Sequence, residues 1–306
     1  MKIKVSAPGK LMLMGEHAVV YNHPCLVTAV DKRLYVEAEI IDKNEDEIIA
    51  PQVKESRFVL EAIAYFKKQF KINQFVKIST NGDFSHRVGL GSSSAVTVAT
   101  FKALSLVFNI SLTDRQIFDL SYHVNIAIQG VGSGFDIAIA TFGKTTYFVT
   151  GGKIIEPLNI KPLPLVVGYS GIKADTPFYI RKVREAFRSR QTQMDSIFEE
   201  IESLVEQGKA LLLNSDYEKI GALMTKNHQL LQQLGVSIPK LDLMVEKSIK
   251  AGAWGAKLSG AGGGDCIIAL VSDDKRIVVE NAIKSVGGEI ITVDNNAEGV
   301  KVEEEV

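Results

Sequence analysis

Cysteine is scarce. The 306-residue chain holds two, Cys25 and Cys266, far apart and each within an apolar run. That spacing argues against a structural disulfide or a thiolate metal cluster and points to reduced core thiols. An excess of charge of one sign is also lacking. The 35 Lys and Arg stand against 36 Asp and Glu, a net charge of -1, so no global field favours nucleic acid or an acidic membrane surface as partner. Long hydrophobic runs are missing as well, and a stretch such as 266–271 is far too short to span a bilayer. Met1-Lys2-Ile3-Lys4 leads into a strand pattern rather than a signal peptide. A cytoplasmic protein is expected, without membrane or nucleic-acid partners and with its oligomeric state left open, a homodimer included. No internal repeat is found. A composition of 46% hydrophobic and 23% charged residues is that of a globular chain long enough for two modest domains or one large one.

Periodicity supplies an outline. Apolar runs over 10–21 and 25–41, split by the turn-like Asn22-His23-Pro24, predict strands. Phe58, Leu60, Ile63, Ala64 and Phe66 recur on one side of an amphipathic helix over 56–70. A strand over 75–80 ends at the turn signal Asn81-Gly82. Helices follow over 94–108 and 114–128, then a glycine-rich turn over 130–134, an apolar stretch, and a strand over 145–149. Pro162 and Pro164 interrupt any helical period and mark a domain boundary, dividing the chain into 1–163 and 164–306. Beyond a strand over 165–169, Asp175-Thr176-Pro177 places an N-cap before a proline and predicts a helix running past Leu204. Helices over 217–234 and 240–251 come next. Strands over 266–271 and 289–293 then flank a helix over 275–286, and the acidic tail 295–306 is expected to fray. The order predicts an α+β fold, with helices backed onto sheets.

Three glycine-rich segments carry the chemistry. The first is Ala7-Pro8-Gly9-Lys10 running into Gly15-Glu16-His17. The second is Gly89-Leu90-Gly91-Ser92-Ser93-Ser94-Ala95, where glycines let the backbone approach a bulky anion and serines are placed to cap the following helix. The third is Lys257-Leu258-Ser259-Gly260-Ala261-Gly262-Gly263-Gly264. Its three consecutive glycines cost roughly 1 kcal/mol each in ordered structure, which suggests close backbone approach to something. On spacing alone the second segment reads as a capped turn, and a plain tight turn is the alternative for the third. Two other nucleotide fingerprints are excluded. Gly143-Lys144-Thr145 lacks the first P-loop glycine, since Ala138 stands there, and Gly260–Gly264 lacks G-x-G-x-x-G spacing because Asp265 follows.

Taken together, the three segments resemble the GHMP family of small-molecule kinases over nearly the whole chain. The resemblance implies a two-domain fold, with an N-terminal ribosomal-protein-S5-like domain and a C-terminal ferredoxin-like α/β sandwich. It implies ATP and Mg²⁺, with the triphosphate wrapped by Gly89, Leu90, Gly91, Ser92, Ser93, Ser94 and Ala95. Gly260, Ala261 and Gly262 would lean over the phosphates, and Ser93 would be the metal-side hydroxyl. Gly132-Ser133-Gly134-Phe135-Asp136 matches the segment whose aspartate takes or orients the proton of the acceptor hydroxyl, and Lys10 matches the lysine facing it. Read without the resemblance, Asp136 is equally a helix cap and Lys10 a solvated strand lysine.

Gly15-Glu16-His17-Ala18-Val19-Val20-Tyr21 looks like the mevalonate kinase branch, in which Glu16 and His17 line the acceptor pocket. Gly171-Ile172-Lys173-Ala174-Asp175-Thr176 is similar to the same branch, with Thr176 on the substrate side. The resemblance therefore implies mevalonate as the small-molecule substrate. His228, within a helix, reads as structural. Two departures stand out. The branch carries a metal-binding glutamate eleven residues before the aspartate, where this chain has Asn125, and Asp265 stands where the family has glycine. The stretch from Gln129 to Asp136 is more similar to phosphomevalonate kinases, so that activity is the nearest rival. A kinase-like nucleotide-binding protein without turnover is the reading from another class.

Overall fold

The computed structural model describes residues 2–53, 56–84 and 88–305; Met1 and Val306, included in the expectations for the two ends, lie outside them. Two sheets organise the molecule. The first has seven strands in the order β11-β1-β2-β4-β3, with β5 paired to β2 and β6 to β5. These are β1 (Lys2–Met14), β2 (Pro24–Ile41), β3 (Glu47–Ile49), β4 (Phe75–Gly82), β5 (Thr145–Val149), β6 (Ile154–Leu158) and β11 (Lys301–Glu305). The second sheet, β10-β7-β9-β8, has four antiparallel strands: β7 (Leu165–Tyr169), β8 (Gly255–Ser259), β9 (Cys266–Leu270) and β10 (Glu289–Ile290). A mixed α+β fold of two units follows, as the element order predicts. The proposed division at 163/164 falls between β6 and β7.

Helices α1 (Arg57–Phe70), α2 (Ser92–Val107), α3 (Asp114–Gln129) and α4 (Phe135–Phe142) cover the first sheet; α5 (Thr176–Ala186), α6 (Gln191–Leu213), α7 (Tyr217–Gln233), α8 (Pro239–Lys250) and α9 (Arg276–Ser285) belong to the second half. Helix α2 is buried on almost every side, from Ser94 to Val107. Its Ala and Thr side chains let it run directly beneath β1 and β2.

Four local expectations need correction. The apolar stretch after Asp136 is helix α4, too short for its period to be read from sequence. The residues 10–21 are not one strand: β1 ends at Met14, because Gly15 (φ 102°) and His17 (φ 62°) leave the β region. The helix opening at Asp175 does not run past Leu204; it breaks over 187–190 into α5 and α6. The break turns α6 back onto the first sheet, where a Cβ on Gly208 would lie 2.9 Å from Met14 Sδ. The tail does not fray. It returns as β11, antiparallel to β1, held by Arg33, which donates to Glu298 O at 3.0 Å and Gly299 O at 2.6 Å.

Candidate active site

Three helix N-termini open on one cavity of about 530 Å³ between the two halves. They belong to α2 (Ser92, Ser93), α4 (Phe135, Asp136) and α5 (Thr176, Pro177). The α2 end has no side-chain cap, so its free N–H groups and partial positive charge suit an anion, whereas Asp136 accepts from Ile137 N in α4 and Asp175 caps α5. The local reason for the first is glycine: Gly89 (φ 73°) and Gly91 (φ 81°) adopt left-handed backbone, and Gly91 is the N-cap. The serines expected to cap α2 do not, since no side chain caps it. They sit in its first turn instead, and Ser94 Oγ donates to Asp136 Oδ2 at 2.7 Å.

Asp136 lies in the first turn of α4 behind Gly134 (φ 91°). Its Oδ1 accepts from Ile137 N at 3.1 Å. Lys10 reaches the same cavity because the β1–β2 register slips between Pro8↔Arg33 and Gly9↔Val30. Strand and phosphate loop are in direct contact: Lys10 N donates to Leu90 O at 2.9 Å, and a Cβ on Gly9 would lie 3.0 Å from that oxygen. The Lys10 ammonium donates to Gly89 O at 3.0 Å and lies 5.6 Å from the Phe135 ring centre. Lys10, which the resemblance places facing Asp136, makes its hydrogen bond to Gly89 O, while the Asp136 oxygens accept from Ser94 and Ile137.

The other wall is built across the seam between the halves. Met12 and Ser259 exchange two hydrogen bonds, Met12 N to Ser259 Oγ at 2.9 Å and Ser259 Oγ to Met12 O at 3.0 Å. His17 Nε2 donates to Ala261 O at 2.8 Å, which leaves the buried Nδ1 an acceptor without a partner. Burial pushes the His17 pKa down, so the ring is neutral at pH 7. Glu16 pairs with Lys257, both fully enclosed at 1% and 0% exposure, and Glu16 Oε2 is buried without a partner. Burial raises the Glu16 pKa and lowers that of Lys257, each opposed by the other's charge. Ser133 Oγ is likewise buried and unpartnered. Glu16, His17 and Ser133 line the cavity together with Thr176, a lining suited to a ligand rich in hydroxyls.

Of the residues singled out from sequence, Lys10, Glu16, His17, Gly89, Gly91, Ser92, Ser93, Asp136, Thr176, Gly260 and Ala261 line the cavity. Leu90, Ser94, Ala95 and Gly262 stand behind it as buried support, Ser94 through Asp136 and Gly262 against Val236, whose carbonyl oxygen its Cβ would approach to 2.2 Å. Lys257 and Lys173 were missed, although a lone charge within Gly255-Ala256-Lys257-Leu258 was a signal of a buried pair. His228 is structural, as expected: Nδ1 accepts from Leu258 N at 3.3 Å and Nε2 faces Asp242 at 3.1 Å. Asn125 lines the cavity with its amide nitrogen turned inward, 3.4 Å from Thr97 Oγ1 and 3.3 Å from Ser121 O.

Comparison with known proteins shows the family. The profile described as "GHMP kinases N terminal domain" matches residues 57–144, and that described as "GHMP kinases C terminal" matches residues 209–289. A mevalonate kinase of Thermococcus sibiricus is 34% identical, covering 99% of both chains. One of Pyrococcus furiosus is 33% identical over the same shares. Among solved structures, Methanococcus jannaschii mevalonate kinase superposes with a TM-score of 0.82 at 26% identity, covering 97% of this chain and 98% of that one. The chain belongs to the GHMP kinase family.

Proposed function

We propose that this protein is a mevalonate kinase, transferring the terminal phosphoryl group of ATP to the primary 5-hydroxyl of mevalonate in isoprenoid biosynthesis. The observation that carries this reading is the meeting of the α2 and α4 N-termini on one cavity, with Ser94 joining the phosphate loop to Asp136. Relatives named mevalonate kinase over the full length support the acceptor.

Phosphates would lie over Gly89–Ser93, where the free N–H groups of α2 take their charge. The acceptor hydroxyl donates to Asp136 and its oxygen attacks the terminal phosphorus. The bond to the bridging oxygen breaks, ADP leaves, and the hydroxyl proton passes to the carboxylate. Lys10, fixed on Gly89 O, brings positive charge to the transferring group. Glu16 Oε2, His17 Nδ1 and Ser133 Oγ offer polar atoms to the acceptor's hydroxyls. Catalysis is then mainly positioning and electrostatic stabilisation.

Mg²⁺ fits the donor set, since the Ser93 hydroxyl and the Asn125 amide oxygen are hard neutral donors. Such an ion would neutralise phosphate charge and take most of its ligands from the nucleotide and water. A cytoplasmic setting accords with two buried, free cysteines. The test is ATP consumption with mevalonate, phosphomevalonate and galactose side by side. Mevalonate should be turned over fastest. A preference for phosphomevalonate or galactose, or no turnover at all, refutes the reading.

A further inference from the structure

Asp265 ends the glycine run with φ 57°, a left-handed backbone that disfavours most side chains. Its side chain is only 9% exposed. A buried carboxylate beside a phosphate loop pays desolvation and repels an anionic ligand. One neighbouring segment offsets both. Asp265 Oδ1 accepts from Ala174 N at 3.1 Å and lies 3.5 Å from the Lys173 ammonium. Backbone bonds bind the same stretch, Asp265 N to Ile172 O at 2.7 Å and Ser170 N to Asp265 O at 2.9 Å. On its other side the carboxylate abuts the phosphate loop. A Cβ on Gly89 would lie 2.5 Å from Asp265 Cγ, so only glycine is accommodated there.

Lys173 also lines the cavity, near Thr176, and its side chain stays 48% exposed. A single long contact leaves most of the ammonium's three donor protons free. The cation is thus aimed from the acceptor side toward the phosphate side by a carboxylate wedged between them. We propose that Lys173, oriented by Asp265, is an anion-binding residue at the junction of the two halves of the site, taking a carboxylate or phosphate oxyanion. This rests on the reading of the cavity as that of an ATP-dependent kinase for an acidic alcohol. Two groups in that reaction qualify: the carboxylate of mevalonate and the terminal phosphate of the nucleotide. Asp265 is a positioning residue, and a residue without a carboxylate there would leave the cation without this anchor.

Calorimetric affinities for mevalonate alone and for a non-hydrolysable ATP analogue alone separate the two sources. Lys173→Met should weaken one of these ligands about tenfold, the scale of a lost charge-assisted contact. Lys173→Arg should recover most of that loss. Asp265→Asn keeps an acceptor for Ala174 but no charge, and should weaken the same ligand by a smaller factor. Loss confined to mevalonate assigns the carboxylate; loss confined to the nucleotide analogue assigns the phosphate; loss of both places the ammonium between them. If Lys173→Met keeps its melting temperature and weakens each ligand by less than about threefold, well below such a contact, the proposal is overturned. Failure of mevalonate to bind the unmutated protein refutes the proposed acceptor instead, and the nucleotide arm still tests Lys173.

Discussion

Mild acid should weaken the fold through His228 before most carboxylates titrate. The ring is 4% exposed at the seam between α7 and β8. Its Nδ1 accepts from Leu258 N, so the neutral ring carries its proton on Nε2, toward Asp242. A second proton would have to enter at Nδ1, against a backbone N–H. Burial accordingly pushes the pKa from 6.5 down to about 4, with Asp242 pulling upward and Lys257 downward. In the unfolded chain the group returns to its ordinary value. Between those two values the unfolded state binds the proton and the native state does not, so stability falls as pH drops through 6.5 and the loss levels off below about 4. From about pH 7.5 to about pH 5, a site with these two values costs about 2 kcal/mol of stability. His17, also depressed by burial, adds in the same direction. Urea denaturation at the two pH values measures the difference, and His228→Gln should remove most of it. If His228→Gln retains the parent's full pH difference, to within about 0.5 kcal/mol, the reasoning is refuted.

Lys257→Met strands the buried Glu16 carboxylate and should cost about 3–5 kcal/mol in chemical denaturation. Most of that should return in the double variant with Glu16→Gln; a double variant no more stable than Lys257→Met would show the pair is not coupled. Asp136→Asn should lower turnover about 10²–10⁴-fold while nucleotide affinity holds; steady-state rates above about a tenth of the parent's, too small a loss for a general base, would remove Asp136 from the chemistry. Ser93→Ala should raise the Mg²⁺ concentration needed for half-maximal rate more than Asn125→Ala does, and Asn125→Glu should lower it. The reverse order of the first two would show that the amide, not the hydroxyl, serves the metal.

Much of the site was legible because its signals are local. Left-handed glycines at 89, 91 and 134 must precede tight helix starts, and their spacing is written in the chain. The Asp175 side chain does cap α5, accepting from Phe178 N at 2.9 Å, as Asp-Thr-Pro predicts. Other features left no local trace. Strand β11 alternates weakly, with three consecutive glutamates, and pairs with the edge of β1 from the far end of the chain, as Ile3↔Glu305 shows. The break between α5 and α6, over 187–190, holds neither proline nor glycine.

The sequence by itself determined where the left-handed glycine turns and the Asp175 cap fall, since φ preference and capping act over a few residues. Tertiary structure decided which charges meet. Glu16 finds Lys257 across 241 positions, and Asp265 finds Lys173 across 92. Lys10 rests on Gly89 O, while Ser94 and Ile137 donate to Asp136. Coulomb energy and desolvation depend on distances and enclosure that exist only once the two sheets have docked.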